Sequence, residues 1–225
     1  MNNFQLKILA YVFMMIDHIG VVFFPNLVIF RIIGRLAFPL FAWHVALGYK
    51  KTSNIYSYAT RLLLFAVISQ IPHFLAVRTD TLNIFFTLFF GLVSVYLFDK
   101  LKNKYLSMVA ILIVAVLAEF LGLDYGTYGV ISILFFYLFF ENFKRLVLYQ
   151  ALINLLYFSF FVLSYIFSYG FEVVIKETIL WQPISLLSLI FIYYYNGQHG
   201  KKLGYSFYLI YPLHLLMFYF LKLLI

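Results

Sequence analysis

The sequence predicts an all-α protein of the membrane, a polytopic transmembrane helical bundle of about nine spans. Of its 225 residues, 65% are hydrophobic and only 11% are charged. Soluble domains carry about a quarter charged residues, so this chain has too few to cover its apolar surface in water. Its apolar runs approach the thickness of a bilayer and follow one another through short connections. The spans use up the whole chain, which predicts one domain, 1–225.

The apolar runs predict the spans in order along the chain. Their boundaries are 4–24, 28–48, 60–77, 83–98, 105–123, 126–140, 146–167, 178–195 and 203–222. The fourth and sixth are short for a bilayer. Each is therefore expected either to thin the bilayer locally or to be a broken helix that lines a cavity.

The charges in the loops predict the orientation. One set of alternate loops contains most of the bases, namely Lys50, Lys51, Lys100, Lys102, Lys104, Lys144, Arg145, Lys201 and Lys202. The other set contains Arg78 and Lys176, together with the acids Asp80, Asp124, Glu172 and Glu177. Basic loops stay on the cytoplasmic side, so we expect a plasma-membrane protein with its N-terminus inside. This also accounts for the formal net charge of +8 without nucleic acid as a partner.

Several chemistries have no support in the sequence. There are no cysteines, which excludes disulfides, thiolate metal ligands and a cysteine nucleophile. No nucleophile-elbow motif and no glycine-rich phosphate loop is present. The five histidines lie in different segments without the spacing of metal ligands, so no metal is expected.

Ionisable residues at membrane depth are the first candidates for catalysis, because they are costly there. Asp17 and His18 lie in the first span, roughly 10 Å below the outer surface. Arg31 and Arg35 enter the second span from the same side, one helical turn apart. We expect an Asp17–Arg35 ion pair, for which a purely structural role is the alternative. His18 is the candidate for proton transfer, unless it is a hydrogen-bonded interior histidine.

Other polar residues gather near the outer ends of the spans and are candidates for substrate binding. They are Arg31, Gln70, His73, Asn83, Glu119, Asp124, Tyr125 and Tyr128, each of which taken alone could be an ordinary interface residue; Tyr211 of the ninth span is a further candidate. The ninth span places Tyr211 and His214 next to Pro212, which breaks the backbone hydrogen bonding of a helix. We expect His214 to line a cavity near the midplane; the alternative is a hydrogen bond between helices.

The cytoplasmic ends contain a possible anion site. His44 and Arg61 lie near that face, and Lys50 and Lys51 lie between them in the sequence. A guanidinium group binds phosphate well, so Arg61 is a candidate for binding a cytosolic ligand that carries phosphate. The alternative is that these bases only set the topology.

Six motifs occur in order along the chain: I-D-H-I-G at 16–20, R-I-I-G-R-L-A-F-P-L-F-A at 31–42, R-L-L-L-F-A-V-I-S-Q-I-P at 61–72, N-I-F-F-T-L at 83–88, D-Y-G-T-Y-G-V at 124–130 and Y-P-L-H at 211–214. Together they resemble the TraX family, whose namesake is the F-pilin acetylase of conjugative plasmids. The resemblance implies an integral membrane acyltransferase with acetyl-CoA as co-substrate. The implied acceptor is an amine or hydroxyl of a pilin or of another cell-surface molecule, such as a glycan.

That reading assigns roles to the candidate residues. His18 would be the general base or acyl carrier, with Asp17 and Arg35 holding the site and His214 as the rival base. The anionic acetyl-CoA would meet Arg61 and the inner lysines. Two functions of other classes remain open. One is a small proton-coupled transporter with His18, Asp17 and Glu119 as a relay, and the other is a non-catalytic membrane assembly factor.

Overall fold

The computed structural model describes residues 1–169, 178–201 and 204–224. Within these ranges the regular structure is helical, and the only β-type pairing is a single bridge between Leu82 and Leu123. The all-α prediction is therefore confirmed. Glu172, Lys176, Glu177 and Lys202, which entered the orientation argument, lie outside the described residues, as does residue 203 at the predicted start of the ninth span.

Each predicted span corresponds to helical structure. The helices are α1 (Asn3–Phe23), α2 (Val28–Gly34), α3 (Ala37–Lys51), α4 (Ile55–Val77), α5 (Ile84–Lys100), α6 (Lys104–Phe120), α7 (Gly126–Leu138), α8 (Phe143–Tyr169), a 3-10 helix (Thr178–Leu187), α9 (Ser188–Tyr193) and α10 (Ser206–Leu224). The second predicted span is interrupted by a turn at Arg35 and Leu36, where the amide of Leu36 donates to the carbonyl of Ile33 at 3.2 Å.

Several of these helices are long and apolar enough to cross a bilayer. Among the described residues they are Asn3–Phe23, Val28–Lys51, Ile55–Val77, Phe143–Ser168 and Ser206–Leu224. The segments Gly126–Leu138 and Trp181–Tyr193 are apolar but shorter, as expected for the sixth span. The protein is thus a multi-pass membrane protein, and the count of nine spans stays a prediction.

Helix α6 shows how the helices meet the lipid. Its exposed side chains include Met108, Leu112, Val116 and Phe120, four residues apart along the helix. This spacing places them in one stripe. A continuous apolar stripe is unfavourable in water but matches the hydrocarbon of a bilayer.

The chain forms two compact units. Unit 1 comprises Met1–Leu40 and Glu141–Gly200, and in it α1 packs on α2, while α2 and α8 pack on the 3-10 helix. The start of α1 is tied to the segment after α9, because the amide of Asn3 donates to the carbonyl of Gln198 at 2.8 Å. The N-terminus and that segment therefore share one end of the unit, as the predicted topology requires.

Unit 2 comprises Phe41–Phe140 and Lys201–Ile225. Helix α5 packs against α4, α6 and α7, and α4 also packs against α10. Three of these helices begin with an asparagine whose side chain accepts a backbone N–H: Asn54 for α4, Asn83 for α5 and Asn103 for α6. Asparagine is a favoured N-cap because its oxygen satisfies an amide that has no partner within the helix.

Candidate functional site

Asp17 forms an ion pair with Arg31 in unit 1. Arg31 donates through Nη1 to Oδ2 of Asp17 at 2.5 Å, and the two side chains are 26% and 20% exposed. The predicted Asp17–Arg35 pair stays a prediction. Helix α2 ends at Gly34, so Arg35 lies in the turn that follows the helix.

Glycine allows the two helices of this pair to approach closely. A Cβ at Gly34 would lie 2.0 Å from Oδ1 of Asp17, and a Cβ at Gly20 would lie 2.3 Å from Cβ of Phe30. Small residues permit such contact between membrane helices. The carboxylate of Asp17 is therefore held between the backbone of α2 and the guanidinium of Arg31.

His18 follows Asp17 on α1 and is half-buried. Neighbouring residues on a helix point about 100° apart, so Asp17 faces Arg31 while His18 faces another direction. His18 is thus in unit 1 beside an ion pair, and its catalytic role stays a prediction.

His214 lies on α10 in unit 2 and is 5% exposed. Its Nδ1 is 2.8 Å from the carbonyl oxygen of Ile210. A carbonyl only accepts, so Nδ1 carries the proton and, in the neutral ring, Nε2 carries the lone pair. Tyr211 and Phe218 hold the ring edge-on, with centroids 5.6 and 5.5 Å away. The imidazole is therefore fixed in orientation and tautomer.

An aromatic stack joins α10 to its neighbours. The ring of Tyr208 lies 5.1 Å from Phe65 of α4 and 6.0 Å from Phe85 of α5. Tyr211 meets the same Phe85 edge-on at 5.3 Å. Tyr211, predicted to bind substrate, is 2% exposed and is part of this packing.

Gln70 and Asn83 form a closed network between α4 and α5. The amide nitrogen of Asn83 donates to the carbonyl of Ala66 at 2.7 Å and to Oε1 of Gln70 at 2.8 Å. Its side-chain oxygen accepts from the amide of Phe85, while Gln70 donates to the carbonyl of Thr81 at 3.1 Å. These bonds position the start of α5, and substrate binding by Gln70 and Asn83 stays a prediction.

Glu119 caps the start of α7. Its Oε2 accepts the amide of Thr127 at 2.9 Å, and a Cβ at Gly126 would lie 2.3 Å from that oxygen. Gly126 has a φ of +43°, which glycine adopts at little cost. A carboxylate at a helix N-terminus is favourable, so the motif at 124–130 has a local structural role.

The other outer residues surround this turn. The amide of Asp124 donates to the carbonyl of Leu82 at 2.9 Å, which joins the α4–α5 and α6–α7 connections at one end of the unit. The rings of Tyr125 and Tyr128 are 6.3 Å apart, and Tyr128 is 1% exposed. Tyr128 thus belongs to the core.

Arg61 and the lysines lie at the other end of unit 2. Arg61 donates to Oγ of Ser57 at 2.8 Å, lies 5.8 Å from the ring centroid of Tyr58 and interacts with the hydroxyl of Tyr208. Lys50 is 5.0 Å from the ring centroid of Phe140. The faces of these aromatic rings attract the cations through the ring quadrupole.

The remaining candidates of this end lie on α3. His44 is 9% exposed, and its ring meets Trp43 edge-on at 5.1 Å. Lys51 is the exposed last residue of the helix. An exposed lysine can meet a cytosolic anion, whereas His44 could do so only after a rearrangement.

The sequence reasoning missed Asp99. This carboxylate accepts the hydroxyls of Tyr49 at 2.8 Å and Tyr137 at 3.0 Å, and it pairs with Lys100 at 3.3 Å. The C-terminal ends of α3, α5 and α7 are therefore held together. The available signal was an acid at the start of a run of lysines. Across the described ranges, no three of the residue types His, Cys, Asp and Glu form a group that could hold a metal.

Comparison with known proteins gives the family. The model of the family described as TraX protein matches residues 3–222. The chain is 35% identical to an uncharacterized protein, RP591, of Rickettsia prowazekii over 56% of this chain; that match spans about half of the relative, 52%. It is 27% identical to a probable fimbrial assembly protein FimC, serogroup H1, of Dichelobacter nodosus, over 95% of this chain and 93% of the relative. No solved structure matches. Because the family model covers almost the whole sequence, the chain belongs to the TraX family.

Proposed function

We propose that this protein transfers an acyl group, acetyl in the simplest case, from cytosolic acetyl-CoA to an acceptor outside the plasma membrane. The observation that carries the proposal is the imidazole of His214, whose Nδ1 is engaged by the carbonyl of Ile210. With Nδ1 protonated, Nε2 carries the basic lone pair of the neutral ring. A buried base is what acyl transfer needs to activate an amine or hydroxyl.

The acyl transfer balances because His214 takes one proton from the acceptor and later gives one proton to coenzyme A. Nε2 of His214 takes the proton of the acceptor as its oxygen or nitrogen attacks the thioester carbonyl. The C–S bond then breaks, and the imidazolium returns the proton to the thiolate of coenzyme A. Tyr211, whose ring lies 5.6 Å from that of His214, is the nearest candidate donor to the developing oxyanion.

The donor would approach from the end that contains Arg61. Coenzyme A is strongly anionic, and Arg61, Lys50 and Lys51 supply positive charge at one end of the unit that also contains His214. With the basic loops inside and the N-terminus cytoplasmic, this end faces the cytosolic pool of acetyl-CoA.

His18 is the second candidate for the base. It adjoins the Asp17–Arg31 pair in unit 1, with Arg35 one turn further on. That pair would hold the local charge balance while His18 exchanges protons. The two histidines make different predictions, because substitution of only the true base abolishes transfer.

The acceptor is proposed from the relatives. One relative is named as a probable fimbrial assembly protein and aligns with 95% of this chain, so a fimbrial or pilus subunit is the first candidate. A surface glycan is the second. Both offer amines or hydroxyls outside the membrane.

Acetyl transfer in purified protein tests the proposal. Protein in lipid nanodiscs receives acetyl-CoA labelled on its acetyl group and candidate acceptors. We expect His214→Gln to lower turnover by about 10²–10⁴-fold, the usual contribution of a general base. His199→Gln, in an exposed segment, is the matched control. Loss of turnover in His18→Gln with His214→Gln active would move the base to unit 1, and no transfer by the wild type to any acceptor would refute the function.

Binding of coenzyme A tests the donor site separately. Arg61→Ala should weaken binding by about 10–100-fold, the value of a charge-assisted hydrogen bond to phosphate. Arg78→Asn, at the opposite end of α4, is the control, since asparagine tolerates its positive φ of 57°. Equal binding by both variants would remove Arg61 from the donor site.

A further inference from the structure

Helix α4 contains two buried polar side chains without a hydrogen-bond partner. Ser69 is 0% exposed and His73 is 4% exposed. Within the described part of the chain, Oγ of Ser69 and Nδ1 of His73 lie within hydrogen-bonding geometry of no other group. Buried polar atoms are nearly always paired, because an unpaired one costs on the order of a hydrogen bond. Two of them together point to a ligand.

The two side chains lie on one face. Residues four apart on a helix are neighbours, with about 5–6 Å between their Cβ atoms. Phe65, one turn before Ser69, packs on Tyr208 of α10, and Ala66 accepts a hydrogen bond from Asn83 at the start of α5. Ser69 and His73 thus continue the side of α4 that packs between α10 and α5.

Proline adds acceptors to the same region. Helices α4 and α10 pack together, and each contains a buried proline, Pro72 and Pro212. A proline has no amide hydrogen, so the carbonyls of Ile68 and Tyr208, four residues earlier, lose their usual helical donor. Broken backbone bonding at membrane depth is tolerated where it lines a polar site.

The depth of this face suits an acceptor that arrives from outside. By the predicted topology α4 ends at the outer surface at Val77, so His73 is about 6 Å and Ser69 about 12 Å below that end. His214 lies ten residues before the end of α10 at Leu224, at a depth of about 15 Å. Going inward from the outer surface, His73 is therefore reached first, then Ser69 and then His214.

The charged residues of α4 and α10 favour a neutral ligand over a cation. Neither α4 nor α10 contains an aspartate or glutamate, and Asp99 lies at the far end of α5. The charged groups of this helix pair are Arg61, which interacts with Tyr208, and Lys222 in the last turn of α10. A protonated amine would find no counter-charge on these two helices and would be repelled by both cations. A neutral hydroxyl can donate to an unprotonated ring nitrogen or a carbonyl and accept from Ser69.

We propose that Ser69 and His73 bind the hydroxyl group of the acyl acceptor on the outer side of His214. This inference rests on the proposed acyl transfer and deepens it, because it selects a neutral hydroxyl over a protonated amine. His73 and Ser69 are binding residues in this account, and His214 remains the base.

Binding and turnover are measured with a matched pair of probes. One is N-acetylserine methylamide, and the other replaces its hydroxyl by an amine. The ligand-induced rise in melting temperature reports binding without catalysis. We expect a rise with the hydroxyl probe for the wild type and a 3- to 10-fold weaker affinity, with a KM raised by about the same factor, in Ser69→Ala. Its stability without ligand should not fall, because the substitution removes an unpaired hydroxyl.

Control variants distinguish binding from damage to the fold. Ser94 is equally buried on α5, but its hydroxyl donates to the carbonyl of Gly91 at 2.7 Å, so Ser94→Ala should leave probe affinity unchanged. His73→Asn, whose amide mimics Nδ1, should retain more affinity than His73→Ala.

Two results would overturn the inference: no rise with the hydroxyl probe in the wild type, or equal probe affinities in Ser69→Ala, His73→Ala and Ser94→Ala. Probe binding that depends on Ser69 without any transfer of label would instead refute acyl transfer and leave the hydroxyl site standing.

Discussion

Substitution of Gly34 by alanine tests how α1 and α2 hold the Asp17–Arg31 pair. The new Cβ would lie 2.4 Å from Cβ of Asp17, where ordinary contacts begin at 3.4 Å, so the helices must separate locally by about 1 Å. Such overpacking costs about 1–3 kcal/mol, and the higher helix propensity of alanine returns up to about 1 kcal/mol. We expect the free energy of unfolding to fall by about 1–2 kcal/mol.

The assay is equilibrium unfolding in bicelles, with two comparisons. Gly48→Ala is the matched glycine, because its Cβ would meet the far end of the Tyr58 side chain, with the hydroxyl oxygen at 2.8 Å, and not the start of a short side chain as at Gly34. Arg31→Gln is measured alone and together with Gly34→Ala. If the added methyl pushes Asp17 away, Arg31→Gln costs less in the double variant. A stability of Gly34→Ala equal to the wild type, with an unchanged cost of Arg31→Gln, would refute the close packing.

Three further substitutions test contacts in unit 2, each by the same unfolding assay. Asn83→Ala removes the partner of half-buried Gln70 and the cap of α5, and should cost about 2–4 kcal/mol; a loss below 1 kcal/mol would contradict the network. Glu119→Ala leaves the amide of Thr127 without its carboxylate and should cost about 1 kcal/mol, with an unchanged value arguing against the cap. Asp99→Leu leaves two tyrosine hydroxyls without their acceptor and should loosen the C-terminal ends of α3, α5 and α7, measured as faster amide exchange there; unchanged exchange would show that these hydrogen bonds are unimportant.

The helices could be predicted because hydrophobic runs of bilayer length are a strong signal. The predicted span 83–98, for example, corresponds to α5 at Ile84–Lys100, with Asn83 as its cap. The turn after Gly34 was not predicted, because an apolar run continues through it in the sequence. The need for glycine comes from its close contact with Asp17, which is distant in the sequence.

The polar residues were predicted in kind, whereas their contacts depend on the fold. The cost of a charge at membrane depth predicts a cation near Asp17, and its pair with Arg31 depends on where α2 ends and how it crosses α1. Gln70 and Asn83 were singled out separately, and their shared network needs the fold of the segment between them. Ser69 carries no sequence signal of its own, because a serine in a membrane helix normally bonds to its own backbone.

The central claim is that an acetyl group passes from a donor on one side of the membrane to an acceptor on the other. Proteoliposomes of one orientation, with labelled acetyl-CoA only on the side of Arg61 and Lys50 and the acceptor only on the side of Glu119, measure this directly. The account predicts labelled acceptor with the wild type and at least about 100-fold less with His214→Gln, while His199→Gln matches the wild type. Label that never appears on the acceptor, or that appears only when donor and acceptor share one side, would contradict it.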